Sequence, residues 1–245
     1  MKESEMIFGI HAITQALQAN KEIDKIIIKR DLNSNLSREL MDELKNHPTV
    51  QVQRVPVERL NKYTQKNHEG AIAFICKVEY QKVSDLVPQI FEQGKDPLLV
   101  ILDGVTDVRN FGSIARTCDC AGVDAVVLPM RGGVMVNADA MKTSAGALNT
   151  LPVCREFSLG EAMKYVKNSG LKVVAISRGA KKTYDKLDYT GPMAIVFSDD
   201  RNDVSDLVLR SADEVVSIPV KGSIESLNVS VAAGVVLYEA MKQRK

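Results

Sequence analysis

From residue 97 onward the chain alternates short apolar runs with amphipathic ones. LLVILDGV (98–105), AVVLP (125–129), LPVCRE (151–156), KVVAIS (172–177), MAIVFS (193–198) and EVVSIPV (214–220) read as strands. In the first of these, Leu98, Leu99, Val100, Ile101 and Leu102 follow one another without a polar break, which suits a strand covered on both faces. Helices are predicted to begin near Asn110, Ala138, Leu159 and Val204, and a long one near Leu227 closes the chain. Ile114, Ala115, Cys118 and Ala121 recur at helical spacing, and Leu227, Val231 and Val235 read as a core stripe. The alternation predicts an α/β fold built on a parallel sheet with helices on both faces.

Residues 1–78 predict a smaller α/β module: helix HAITQALQAN, strand IDKIIIKR, helix SRELMDELKNHP, strand VQVQRV, short helix PVERLNKYT and strand AIAFICKVEY. Residues 79–96 read as a linker carrying one helix, because SDLVPQIFEQGKDP is polar and holds two prolines and a glycine.

Composition narrows the chemistry. A 45% hydrophobic content in 245 residues is ample for a packed core. No run approaches the roughly 20 apolar residues of a membrane span, and MKESEMIFGIHAI lacks the pattern of a secretory signal, so a cytoplasmic protein is expected. Cys76, Cys118, Cys120 and Cys154 have no metal-site spacing and read as reduced packing residues, and no metal is expected. All three histidines precede residue 70, which excludes a Ser-His-Asp hydrolase built from the later part alone. The net charge of +1 announces no global nucleic-acid field but leaves room for a local patch.

Ligands of open α/β sheets bind beyond the carboxyl ends of the strands. There the sequence gathers Asn110, Gly112 and Arg116 after one strand, Ser198, Asp199 and Asp200 after another, and Lys221, Gly222, Ser223, Ser226 and Asn228 after a third. Asn110 reads as the residue of the strand-to-helix turn and Ser226 as a helix N-cap. Gly112 reads as a point of close backbone approach. Neither GxGxxG nor GxxxxGK[ST] is present, and carboxylates are too few for a two-metal centre. What remains is a small, mostly neutral cofactor held by backbone groups, with one arginine and some amides.

The stretches DGVTDVRNFGSIARTCDCAGVDAVVLP, AIVFSDDRNDVSDLVLRSADEVVSIPV and IPVKGSIESLNVSVAAGVVLYEAM resemble the three ordered motifs of the SpoU or TrmH-type ribose 2′-O-methyltransferases of the SPOUT class. The likeness covers residues 97–245. IFGIHAITQAL and HEGAIAF resemble the N-terminal RNA-binding domain of the ribosomal RNA members, with 23S guanosine enzymes as the nearest relatives. The resemblance implies a C-terminal trefoil knot that binds S-adenosylmethionine, an RNA substrate, and a homodimer whose sites draw on both subunits. It implies that Arg116 meets the target ribose and phosphate, that Asn110 orients arginine and substrate, and that Ser226 and Asn228 order the two ends of the site. It also implies a cofactor cradle around Phe197, Ser198, Asp199, Ile218, Val220, Gly222 and Leu227.

The second motif departs from the family. In SDDRNDVS, Ser198 replaces a glycine, Asp200 stands at the glutamate position, and Asp203 replaces a later glycine. At positive φ a serine or aspartate would cost on the order of 1 kcal/mol. Two outcomes follow: an active enzyme with a rearranged loop, or a weakened member that serves as a non-enzymatic RNA-binding or ribosome-assembly factor. A small-metabolite α/β enzyme is a third class. In the first module, Glu69 replaces the glutamine of a common His-Gln-Gly.

Overall fold

The computed structural model describes residues 6–19, 21, 23–32, 35–48, 50–76, 78–199 and 202–244. They gather into two compact units: one runs through Glu79 and takes in Met135–Ala138, the other comprises Tyr80–Val134 and the chain from Asp139.

The first unit holds strands β1 (Met6–Phe8), β2 (Ile23–Lys29), β3 (Gln51–Val55) and β4 (Ala71–Ile75), ordered β1-β4-β2-β3. Strand β4 is antiparallel to both neighbours, while β2 and β3 are parallel. Helices α1 (Ile10–Gln18), α2 (Asn35–Glu43) and α3 (Val57–Asn61) complete it. Alternation along β2 sends Ile26 and Ile28 to a core with Ile13 and Leu17, and Ile27 to a second core with Leu60, Ile72 and Phe74. This strand is buried on both faces, which accounts for its run of three isoleucines. The sequence pattern missed β1, because three residues ahead of Gly9 are too few to show a period. His68 is buried: its Nδ1 accepts from Gly70 N at 3.0 Å, so its Nε2 donates to Asn61 Oδ1 at 2.9 Å.

The second unit is one parallel sheet. In chain order it comprises β5 (Tyr80–Gln81), α4 (Val83–Glu92), β6 (Leu98–Asp103), α5 (Val108–Cys120), β7 (Ala125–Pro129), α6 (Ala138–Thr143), β8 (Val153–Glu156), α7 (Leu159–Asn168), β9 (Lys172–Ile176), β10 (Lys182–Thr183), β11 (Met193–Ser198), α8 (Asp206–Ser211), β12 (Glu214–Ser217) and α9 (Val229–Gln243). The strand order is β10-β12-β9-β11-β6-β7-β8-β5 and every neighbouring pair is parallel. Each strand expected after residue 97 is present.

Three expectations need correction. The segment 79–96 is not a linker: Tyr80 and Gln81 pair with Val153 and Cys154, and Val83, Leu86, Val87 and Ile90 bury one face of α4 in the sheet's core. Pro88 inside α4 cannot donate to the Ser84 carbonyl, which accepts the Tyr165 hydroxyl of α7 at 3.1 Å instead. Cys76, Cys118 and Cys154 are buried as expected, with burial pushing the Cys154 thiol up to about 12, but Cys120 is exposed at the end of α5. The core stripe of α9 is Val229, Ala233, Val236, Leu237 and Ala240, packed against α5 and β11. Val231, at 52% exposure, and Leu227, at 37%, face solvent instead.

Candidate active site

Asp107 caps α5, its carboxylate accepting from the backbone N–H of Arg109 and of Asn110, each at 2.9 Å. Asn110 therefore lies in the first helical turn rather than at the cap, and Arg116 falls in the third turn. The close approach expected at Gly112 is present: a Cβ there would stand 2.7 Å from Thr143 Cβ and 3.0 Å from the Ala140 carbonyl oxygen. Gly112→Ala is expected to destabilise the protein by about 1–3 kcal/mol, read as a lower midpoint of guanidinium unfolding, since α6 must move to admit one methyl. An unchanged midpoint would show that α6 yields freely.

The third motif meets the first directly. Asn228, not Ser226, is the N-cap of α9: its Oδ1 accepts from Ser230 N at 3.0 Å and from Ser230 Oγ at 2.6 Å. Its amide nitrogen donates to Asn110 Oδ1 at 3.1 Å. A backbone N–H can only donate, so it fixes which end of Asn228 is oxygen and hence which end of Asn110 is taken. Asn110 is left to present its NH2 group, two donors, to an incoming acceptor.

A cleft opens at the carboxyl ends of β9, β11 and β12, where open α/β sheets place their ligands. Phe197, Ser198, Asp199, Ile218, Val220, Ser226 and Leu227 line it. Gly222 does not line it, and Asp200 lies outside the described residues. Ile176, Ser177 and Arg178 also line it and were not singled out. Ile176 and Ser177 end the run KVVAIS and Arg178 follows it, so the rule that directs attention to strand ends applies to them equally.

At Ser198 and Asp203 the second motif carries no left-handed strain. Among the described residues, only Glu69 and Ala145 combine a side chain with positive φ, so Ser198 and Asp203 do not. Both instead tie the loop down. Ser198 Oγ donates to the Asn202 carbonyl at 3.1 Å, and Asp203 accepts from Ser177 Oγ at 2.8 Å and from Val204 N at 2.9 Å. Asp103, at the end of β6, accepts from Ser205 N at 2.8 Å and fastens the far end.

Arg116 stands apart from these groups. It is exposed, pairs with no described residue and does not line the cleft. Six residues beyond Asn110 at about 100° per residue, its side chain leaves α5 roughly 120° around from that of Asn110.

Residues 97–238 match the family described as SpoU rRNA Methylase, and residues 6–81 match the one described as RNA 2′-O ribose methyltransferase substrate binding. A putative TrmH family tRNA/rRNA methyltransferase of Staphylococcus saprophyticus is 33% identical over 242 residues, covering 99% of this chain and 97% of that protein. The 23S rRNA (guanosine-2′-O-)-methyltransferase RlmB of Vibrio parahaemolyticus is 33% identical over 249 residues, covering 98% of each. The SpoU methyltransferase AviRb from Streptomyces viridochromogenes, solved in complex with the cofactor AdoMet, shares the fold with a TM-score of 0.61 at 23% identity, over 97% of this chain and 89% of that one. With both regions matched and full-length relatives at this identity, the chain belongs to the SpoU family of RNA 2′-O-ribose methyltransferases.

Proposed function

We propose that the protein methylates the 2′-oxygen of a ribose in ribosomal RNA, with a 23S guanosine as the first substrate to try, using S-adenosylmethionine. The observation that carries this reading is the Asn110–Asn228 pair, which sets a fixed pair of donors beside a cleft that Leu227 and Val229 line on either side of Asn228.

The cleft's residues fit the cofactor. Ile176, Phe197, Ile218 and Leu227 offer apolar surface for an adenine ring, while Ser198, Asp199 and Ser226 offer polar atoms for the ribose and the cationic amino-acid part. When bound, S-adenosylmethionine supplies a methyl group made electrophilic by its sulfonium. Ser198 and Asp203, tied by their own side chains, and Ser205, tied by Asp103, hold the described part of that cradle in advance. This favours an enzyme over an RNA-binding factor without chemistry.

On the RNA side, Asn110 donates to a ribose or phosphate oxygen and holds the 2′-hydroxyl in line. Arg116 binds the neighbouring phosphate, and its permanent charge would stabilise the 2′-oxygen as its proton passes to water and it takes the methyl, whose bond to sulfur breaks to leave a neutral thioether. Ser226 orders the cofactor end, Asn228 the substrate end, and Asp200 takes the position of the family's glutamate.

The working unit is a homodimer in which Arg116 completes the partner's cleft. The separation of Arg116 from its own cleft supports this, and so does the apolar stripe of Val231, Val235 and Tyr238 along the outer face of α9. The trefoil knot belongs to the same reading: the segment 218–228 first lines the cleft and then leads into α9. The first unit holds the RNA, and the cytoplasm, where ribosomal RNA is found, is the place of action.

Asn228→Asp is expected to lower kcat/KM for RNA by about 10²-fold, the scale of one lost transition-state donor. A carboxylate has no N–H for Asn110, which turns its carbonyl outward. Retention of activity within about threefold would remove the pair from the mechanism. The reading as a whole is tested by transfer of labelled methyl from S-adenosylmethionine to an unmodified 23S rRNA transcript. Incorporation into RNA supports it; none, with RNA bound, refutes it.

A further inference from the structure

Phe157 is exposed to 66%, an unusual state for a phenylalanine at the end of a buried sheet. It follows β8 and precedes Ser158, the N-cap of α7. In that position an apolar side chain ordinarily packs down on the fourth residue of the helix. Here the fourth residue, Ala162, is buried in the core, and Phe157 leaves it to stand in solvent.

Arg131 lies over the ring, its guanidinium carbon 5.3 Å from the centroid. It comes from the loop after β7, the neighbouring strand, joined there by the Met130 N to Glu156 O bond at 2.7 Å. The loop is held tightly: Gly132 has φ +74°, and a Cβ on Gly133 would fall 2.3 Å from the Pro129 carbonyl oxygen. Among the described residues, no carboxylate pairs with Arg131. The result is a preset aromatic face with an unneutralised cation beside it.

Both residues sit at the carboxyl ends of β7 and β8, on the edge of the sheet that also carries the cleft. From β8 to β11 are three interstrand steps of about 4.8 Å, or about 14 Å. A single strand of RNA spans that in about two to four nucleotides. We propose that Phe157 and Arg131 form a stacking platform for an unpaired base flanking the methylated nucleotide, with Arg131 also meeting the adjoining phosphate. This rests on the RNA reading above and adds a determinant of substrate choice to it. Aromatic faces with adjacent arginines bind bases of single strands irrespective of pairing edges, and the free positive charge favours a polyanion over a protein surface.

The test is anisotropy with fluorescein-labelled oligo(A) of about twelve nucleotides and an abasic strand of the same length. Phe157→Ala is expected to weaken oligo(A) binding about 5- to 100-fold and to leave the abasic strand unaffected, while Phe157→Trp binds oligo(A) like the parent. Arg131→Ala should weaken both strands. In methyl transfer, Phe157→Ala should raise KM for RNA with kcat preserved. Unchanged oligo(A) affinity in Phe157→Ala, or an equal loss on the abasic strand, overturns the platform. So does a change in sedimentation, which would make Phe157 part of a protein interface. The binding arm needs no methyl transfer: a base-dependent loss in a protein that transfers nothing would uphold the platform and sink the enzyme reading.

Discussion

Arg116→Ala is expected to lower kcat/KM for RNA by about 10³-fold while leaving S-adenosylmethionine affinity and thermal stability where they are. The side chain is exposed and pairs with no described residue, so its removal costs the fold little. It does not line its own cleft, and the proposal sets it on the RNA side of the partner's, so cofactor affinity should hold. What the proposed role would lose is a permanent charge with five donors at the reacting oxygen and its phosphate. Arg116→Lys should recover only part of the loss, because an ammonium cannot reproduce the planar fork. Single-turnover transfer together with calorimetric titration of the cofactor separates these effects. Full activity in Arg116→Ala, or a matching loss of cofactor affinity, would contradict the assignment.

The second large effect concerns assembly. Val231→Glu combined with Tyr238→Glu is expected to convert the proposed dimer to a monomer in sedimentation and to abolish transfer. Each cleft should nevertheless still bind the cofactor. The two residues are 52% and 49% exposed within the subunit and seven apart on α9, so they share a face that the core does not use. Two carboxylates there cost nothing in an isolated subunit but oppose burial against a second copy. If the variant remains active as a monomer, Arg116 serves its own cleft and the shared site is wrong.

These expectations also mark what the sequence makes legible. The strands after residue 97 are readable because each is a short apolar run closed by polar residues, and the strand-end rule leads from them to Ser198 and Asp199. Gly112 is readable because a glycine between apolar helical positions implies close approach. The cap positions are less so: Asp107, Asn110, Ser226 and Asn228 are all competent caps, and only the fold selects Asp107 and Asn228. The two apolar stripes of α9 have the same period, so no pattern tells which one meets α5 and β11. The helix of residues 83–92 is readable, but Pro88 and the polar residues around it obscure its place in the core; the proline's cost is met by a tyrosine far along the chain. The strain anticipated at Ser198 and Asp203 depended on φ, which composition does not encode.

The most direct test of the central claim is alkaline hydrolysis of unmodified 23S rRNA labelled by the protein with methyl from S-adenosylmethionine. A methylated 2′-oxygen cannot attack the adjacent phosphate. The account therefore predicts label in an alkali-resistant dinucleotide that is absent with Arg116→Ala. Label released in a mononucleotide would place the methyl on a base and contradict it.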